Sequence, residues 1–132
     1  MTLVIDASAA VEYLLKTAVG EQVRRLLAEA ELAAPELLDI EVVAVLRREV
    51  LRRTLTVERA EEAVADLCLW GIRRLAHRPL LMDAWSLRHN VSAYDALYVA
   101  AARAVEAALV TADGPLSKAS NLGVTVYNAR NL

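Results

Sequence analysis

The chain has 132 residues, of which 57% are hydrophobic, and its formal net charge at pH 7 is −2. This length predicts one domain spanning residues 1–132, with a core of its own. No uncharged apolar run reaches the roughly 18 residues that a membrane span needs. The N-terminus also lacks the pattern of a signal peptide, because acidic residues interrupt its apolar segment. The single Cys68 excludes an internal disulfide and a cysteine-based zinc site. We therefore expect a soluble, cytoplasmic protein.

The chain begins with a short apolar run that ends at a carboxylate. Leu3-Val4-Ile5 predicts a strand buried on both faces, as in a parallel sheet. Asp6 follows, and Ser8 is a suitable N-cap for a helix over about residues 9–17. Asp6 therefore stands at the carboxyl end of a strand, the edge at which open α/β sheets bind ligands.

Helix and strand patterns alternate along the next part of the chain. Gly20 is expected to end the first helix, and residues 21–30 predict a second, amphipathic one. Residues 31–34 predict a second strand. Pro35 suits the first turn of the following helix, which runs to about residue 53.

The middle of the chain predicts three more helices and a weak strand. Thr56 is a good N-cap for a helix that Gly71 ends. The buried side of that helix is expected to comprise Val57, Ala60, Ala63, Val64, Leu67 and Cys68. Residues 72–76 alternate weakly, as in a short strand, and Pro79 opens another helix. Ser92-Ala-Tyr-Asp95 matches a capping box, and the largely apolar helix after it is expected to be central.

Two further strands complete the pattern. Residues 107–112 predict a strand that ends at Asp113, and residues 124–127 predict the last one, after a short helical turn. Strands that alternate with helices imply a parallel sheet with right-handed crossovers. The predicted fold class is α/β, a three-layer domain with a five-stranded, mainly parallel sheet flanked by helices.

Four acids are notable for where they fall in this pattern. Asp6 and Asp113 end the two clearest strands, although Asp113-Gly-Pro is also ordinary turn chemistry. The capping box explains Asp95, yet that position would also direct its carboxylate toward the strand ends. Glu41 shares the apolar face of its helix, where a Glu is rare unless it pairs with a cation such as an arginine or binds a metal. Asp39 points elsewhere and is expected to be solvated.

Carboxylates brought together would repel one another, and hard divalent cations relieve that repulsion. Mg²⁺ and Mn²⁺ take oxygen ligands, and Mg²⁺ bridges carboxylates to phosphate oxygens. A metal-bound water is a better nucleophile, and two metals about 3.5–4 Å apart hold both ends of an in-line phosphoryl displacement. If the four acids meet in space, the chemistry they favour is phosphodiester hydrolysis.

Four segments taken together resemble a PIN domain, and more narrowly the VapC-type ribonuclease toxins of bacterial and archaeal toxin–antitoxin pairs. They are residues 4–8 (VIDAS), 34–42 (APELLDIEV), 92–101 (SAYDALYVAA) and 109–116 (LVTADGPL). The similarity spans almost the whole chain, in order. Family members are metal-dependent endoribonucleases with a parallel sheet and an acidic pocket.

The resemblance implies roles for individual residues. The metal-binding and catalytic acids, for Mg²⁺ or Mn²⁺, would be Asp6, Glu41, Asp95 and Asp113. The hydroxyl groups of Ser8 and Thr111 would support the pocket. Many relatives carry a further acid or amide soon after the fourth Asp, where Leu116 and Ser117 stand here. A fifth ligand, and with it a second metal, therefore stays open.

The resemblance also implies partners. These are an RNA substrate, a second copy in a homodimer, and a cognate antitoxin in a heterotetramer or larger assembly. The antitoxin's C-terminal segment would lie in or near the acidic pocket, and the apolar surplus of the helices fits surface that a partner covers. The alternative is a catalytically weak PIN scaffold that binds RNA or protein.

Other side chains have competing interpretations. His77 and His89 lack a suitably spaced third zinc ligand and are expected to be solvated. Four aromatic residues would either stack on bases or pack in the core: Trp70, Trp85, Tyr94 and Tyr98. Four arginines would either contact RNA phosphates or an acidic partner, or form a solvated helix face: Arg47, Arg48, Arg52 and Arg53.

Overall fold

The structure, a computed structural model, describes residues 1–119 and 121–131 and is built on a five-stranded sheet. The strands are β1 (Thr2–Ile5), β2 (Glu31–Pro35), β3 (Ile72–Leu75), β4 (Ala108–Thr111) and β5 (Val126–Asn128). All neighbours pair in parallel, in the spatial order β3-β2-β1-β4-β5. The predicted α/β class and parallel sheet are confirmed, with β1 as the central strand.

Helices cover both faces of this sheet. Within the described residues they are α1 (Ala7–Leu14), α2 (Ala18–Leu27), α3 (Leu37–Leu51), α4 (Val57–Leu69), α5 (Leu81–Ser86), α6 (Ala93–Ala104) and α7 (Gly114–Lys118). Helix α1 packs against α2, α3 and α4, whereas α5 packs against α6. Right-handed crossovers in this strand order place α1 to α4 on one face and α5 and α6 on the other. None of these helices is both long and apolar enough to cross a membrane.

The core lies on both sides of β1 and along α6. Leu3, Val4 and Ile5 are at most 2% exposed, as expected for a strand covered on both faces. Helix α6 buries the run from Tyr98 to Ala102, which agrees with its predicted central position. Strand β1 ends at the carboxyl edge of the sheet and α6 begins there, so the core lies directly beside that edge.

The first helix begins earlier than predicted because Asp6, rather than Ser8, caps it. The Asp6 carboxylate accepts a hydrogen bond from the backbone amide of Ala9 at 3.0 Å. Ser8 lies inside the first turn and donates its hydroxyl group to the same carboxylate at 2.7 Å. Asp and Ser are equally good N-caps, so sequence alone did not separate them.

Gly20 was predicted to end the first helix, but it lies inside α2, whose N-cap is Thr17. A Cβ atom at position 20 would stand 2.0 Å from the carbonyl oxygen of Glu12 in α1. Glycine is therefore needed here for the close approach of two helices, and not for a break between them. Helix α2 begins at Ala18, three residues before the predicted start.

Three smaller predictions were also wrong. Pro35 is the last residue of β2 and does not open the next helix. Val57 and Cys68 are exposed rather than buried, because Val57 lines the open groove between α3 and α4 and Cys68 lies outside the buried stripe of α4. The last strand runs over Val126–Asn128 and so begins and ends later than predicted.

Candidate active site

The four predicted acids line one pocket at the carboxyl ends of β1 and β4, with a volume of about 400 Å³. Asp6 follows β1 and Asp113 follows β4, so these acids leave adjacent strands. Glu41 comes from the second turn of α3 and Asp95 from the first turn of α6. The sheet and the helices of both faces therefore all contribute to the pocket.

Asp6 is held by hydrogen bonds to both of its carboxylate oxygens. Its Oδ1 accepts from the Ser8 hydroxyl group at 2.7 Å and from the Ala9 amide at 3.0 Å, while Oδ2 accepts from Thr111 Oγ1 at 2.5 Å. Asp6 is 4% exposed. Burial raises the pKa of Asp6 to about 6, against the lowering effect of these bonds, and the charge of Asp95 raises it further.

Ser8 and Thr111 join the ends of the two strands. The Ser8 hydroxyl oxygen accepts from the Ala112 amide at 2.9 Å, and Thr111 Oγ1 accepts from the Asp113 amide at 2.9 Å. The two hydroxyl oxygens lie 3.2 Å apart. Both side chains thus contact Asp6 and the chain that leads to Asp113, which gives a geometric basis for their predicted supporting role.

Glu41 is half-buried and is paired with a tyrosine rather than an arginine. Its Oε1 accepts a hydrogen bond from the Tyr98 hydroxyl group at 2.5 Å, and Tyr98 is 1% exposed. Burial raises the pKa of Glu41 even though this bond lowers it, and Asp95 raises it further. Sequence reasoning placed Tyr98 in the core or against a base and missed this contact. The available signal was its position three residues after Asp95, on the same side of α6.

Asp95 is the electrostatic link among the acids. Its backbone amide donates to the Ser92 hydroxyl group at 3.2 Å, as the predicted helix start requires. Burial raises the pKa of Asp95, and the nearby charge of Asp113 raises it too. Asp95 in turn raises the pKa of Asp6 and of Glu41. The carboxylates are therefore close enough to repel one another.

The pocket suits a divalent cation, although its four acids are not arranged as a complete set of metal ligands. Across residues 1–119 and 121–131, no three His, Cys, Asp or Glu side chains already stand together as a metal-binding group. Within the same ranges, no ion pair includes any of the four acids. Mutually repelling oxygen donors without a partner cation are what Mg²⁺ or Mn²⁺ neutralises, and Mg²⁺ commonly keeps several waters and few protein ligands. An open acidic pocket suits a hydrated ion of this kind.

The residues after Asp113 supply no further acid to the pocket. Leu116 is 1% exposed and belongs to the core. The Ser117 hydroxyl group donates to the Gly114 carbonyl at 2.8 Å and accepts from Asn128 Nδ2 at 3.1 Å. Ser117 therefore ties α7 to β5 and does not face the acids.

Arg48 is the one basic residue among the described residues that line the pocket. It stands two turns after Glu41 on α3, on the same side of the helix. Arg47, the preceding residue, lines instead the apolar groove between α3 and α4. The arginine cluster predicted from the sequence is thus divided between two surfaces.

The remaining candidates have structural partners or lie on the surface. Asp39, predicted to be solvated, forms an ion pair with Arg74 at 3.0 Å. His77 Nε2 accepts from the Leu37 amide at 2.8 Å, at the start of α3. Trp70 stacks on Tyr13 with ring centroids 4.3 Å apart, whereas Trp85, Tyr94 and His89 are exposed.

Comparisons with known proteins give a family from the sequence and similar folds among solved structures. The sequence pattern of the PIN domain matches residues 3–122. Ribonuclease VapC1 of Mycobacterium tuberculosis is 44% identical over 121 residues, which cover 90% of this chain and 91% of that protein. PAE2754 from Pyrobaculum aerophilum has a similar structure, with a TM-score of 0.71, 20% identity, and coverage of 99% of this chain and 85% of that one. VapBC2 from Rickettsia felis, bound to a DNA fragment from its promoter, gives a TM-score of 0.69 at 16% identity over 97% and 98% of the two chains.

Proposed function

Because the chain belongs to the PIN-domain family, within its VapC ribonuclease group, we propose that it is a metal-dependent endoribonuclease and the toxin of a toxin–antitoxin pair. The observation that carries this proposal is the convergence of Asp6, Glu41, Asp95 and Asp113 on one pocket. The name of the relative at 44% identity supports RNA as the substrate.

The four acids would hold Mg²⁺ or Mn²⁺ between the strand ends and the two helices. A bound ion would lower the pKa of a water molecule and stabilise the charge that develops on a phosphate. Asp6 contributes a carboxylate whose direction is fixed by Ser8, Ala9 and Thr111. Its pKa of about 6 also lets it exchange a proton near neutral pH before an ion binds. Because Asp6 is buried, its interaction with such an ion would be stronger than that of an exposed carboxylate.

Arg48 is the residue that we expect to meet the RNA backbone. A pocket lined by four carboxylates repels phosphate, and a guanidinium group at its wall offsets that repulsion with paired N–H donors. Arg48 would therefore bind the phosphate next to the bond that is cut.

The proposed partners are a second copy of the chain and a cognate antitoxin. Large apolar side chains exposed on the described surface include Ile40, Val43, Leu51, Leu81, Met82 and Trp85. We expect partners to cover some of these apolar side chains. The acidic pocket suits a basic side chain of the antitoxin, which would block the site by occupying the place of the cation. We place this activity in the cytoplasm, where its RNA and its antitoxin would be.

The test is cleavage of a mixed pool of structured RNA by the full chain, with Mn²⁺, with EDTA, and by Asp6→Asn with Mn²⁺. We expect cleavage only in the first reaction. If Asp6→Asn keeps its fold and still cleaves RNA as the wild type does, the acidic pocket is not the site of cleavage. RNA that is retained but uncut by the wild-type chain would favour the weakly catalytic scaffold, for which Leu116 and Ser117 in place of a fifth acid are the supporting observation.

A further inference from the structure

Tyr98 is a buried tyrosine whose hydroxyl group reaches the acidic pocket. Its side chain is 1% exposed, yet it lines the pocket together with Asp95, one turn earlier on α6. The hydroxyl group donates to Oε1 of Glu41 at 2.5 Å. A buried hydroxyl group without a partner is costly, so this bond fixes the position of the phenol ring as well as that of the acid.

This bond joins the two helical layers above the carboxyl edge of the sheet. Glu41 belongs to α3, in the layer of α1 to α4, whereas Tyr98 belongs to α6 on the opposite face. The strand ends do not contact Glu41 through any described hydrogen bond, so the tyrosine is its attachment to the rest of the pocket. The Asp6 carboxylate, by contrast, is held from α1 by Ser8 and from β4 by Thr111.

A half-exposed glutamate has three rotatable bonds and samples several rotamers unless a partner selects one. A hydrogen bond from a hydroxyl group to a carboxylate is short and about twice as strong as one between neutral groups. A tyrosine hydroxyl group is ordinarily protonated at neutral pH, so it acts as the donor to Oε1 of Glu41. The contact therefore selects one rotamer of Glu41 and keeps it.

We propose that Tyr98 is a positioning residue of the acidic pocket, which holds Glu41 by its Oε1 and leaves the second oxygen to a divalent cation. This inference rests on the proposed metal-dependent function. Tyr98 does not itself touch the cation or the RNA. Its effect on either is transmitted through Glu41.

The experiment compares Mn²⁺ binding by the full-length wild type, Tyr98→Phe, Glu41→Ala and the double variant, by calorimetry and by the rise in melting temperature on adding Mn²⁺. Tyr13→Phe is the matched control, because Tyr13 lies on α1 against Trp70 and outside the acidic pocket. Partners that orient metal ligands typically change metal affinity 10–100-fold, so we expect a loss of about 10-fold in Tyr98→Phe. Tyr13→Phe should bind as the wild type does.

The double variant separates positioning from a merely structural role. If Tyr98 acts through Glu41, removing the hydroxyl group from Glu41→Ala costs no further affinity. Wild-type affinity in Tyr98→Phe, or an additive loss in the double variant, would overturn the inference while leaving the metal site intact. Absence of Mn²⁺ binding in the wild type itself would overturn the site, and the role of Tyr98 with it.

Discussion

The hydroxyl group of Thr111 donates to Oδ2 of Asp6 at 2.5 Å, across the carboxyl ends of two neighbouring parallel strands. Thr111 is fully buried, and its hydroxyl oxygen accepts a hydrogen bond from the backbone amide of Asp113. One hydroxyl group therefore holds the carboxylate of Asp6 and the backbone amide of Asp113. Two of the four acids are thus tied to the ends of the neighbouring strands β1 and β4.

Replacing Thr111 by Val keeps the shape of the side chain and removes both hydrogen bonds. Because a buried carboxylate and a buried amide each lose a partner, unfolding by urea should show a loss of about 1–3 kcal/mol. Mn²⁺ affinity should fall in parallel, since Oδ2 of Asp6 is no longer held. Thr111→Ser keeps the hydroxyl group and should retain most of both quantities. Equal stability of the Val and Ser variants would show that the bond does not hold the pocket together.

Asp6 should make the metal-free protein less stable as the pH rises. Its pKa is 3.8 for an ordinary Asp and about 6 here, because burial disfavours the charged form. Between these two values the folded state binds more protons than the unfolded state, so the free energy of unfolding falls with rising pH. The full difference corresponds to roughly 3 kcal/mol and is reached above pH 6.

Asp6→Asn removes this pH dependence, and melting temperatures in EDTA from pH 4 to pH 8 test it. The variant should melt at a higher temperature than the wild type at pH 7–8, and the difference should shrink toward pH 4. With Mn²⁺ present, the wild type should recover stability that the variant does not gain, since the ion binds the folded state. A difference that is constant with pH would mean that Asp6 is not the group responsible.

Arg48→Ala should weaken RNA binding more than Arg47→Ala, although each variant loses one positive charge from the same helix. Arg48 lines the acidic pocket and Arg47 lines the α3–α4 groove. We expect Arg48→Ala to raise the KM for a short RNA about 10-fold, the value of one charge-assisted phosphate contact of roughly 1.4 kcal/mol. Steady-state cleavage at two salt concentrations measures this. If both variants raise the KM equally, Arg48 acts only through its positive charge and not through a specific contact in the pocket.

Gly20→Ala should destabilise the fold without altering the pocket directly. The added Cβ would lie 2.0 Å from a backbone oxygen of Glu12, so α1 and α2 must move apart. Overpacking of this kind costs on the order of 1–3 kcal/mol or more, which thermal unfolding would detect. Gly71→Ala is the matched control, because a Cβ there meets nothing within 4 Å. A normal melting temperature for Gly20→Ala would contradict the close helix contact.

Periodicity predicted the type and order of the main elements because the parallel sheet is covered by helices on both faces. Apolar runs then mark strands, and amphipathic stretches mark helices. The predicted boundaries of helices were wrong where one residue type, such as glycine, has two structural explanations. Gly20 was interpreted as a break, since a chain read by itself does not reveal that another helix passes 2.0 Å from a hypothetical side chain.

The acids were predicted individually, whereas their partners were not. Asp6, Glu41, Asp95 and Asp113 were found from strand ends, an apolar helix face and a helix start, and the structure brings all of them to one pocket. The Tyr98 contact with Glu41 spans residues that are far apart in the chain, and so does the Arg74 contact with Asp39. Such pairings depend on how the helices and the sheet pack together, which the residue pattern within one helix or strand does not reveal. The roles of the acids in binding metal stay predictions.

Two acids that line the pocket, Asp6 and Asp113, are more than a hundred residues apart in the chain. Strand β4 also supplies the Thr111 hydroxyl group that fixes the first of these acids. A nascent chain that has not yet emerged through β4 thus lacks one acid and the support of another. For an enzyme proposed to cut RNA, this order of synthesis delays activity until Thr111 and Asp113 have left the ribosome.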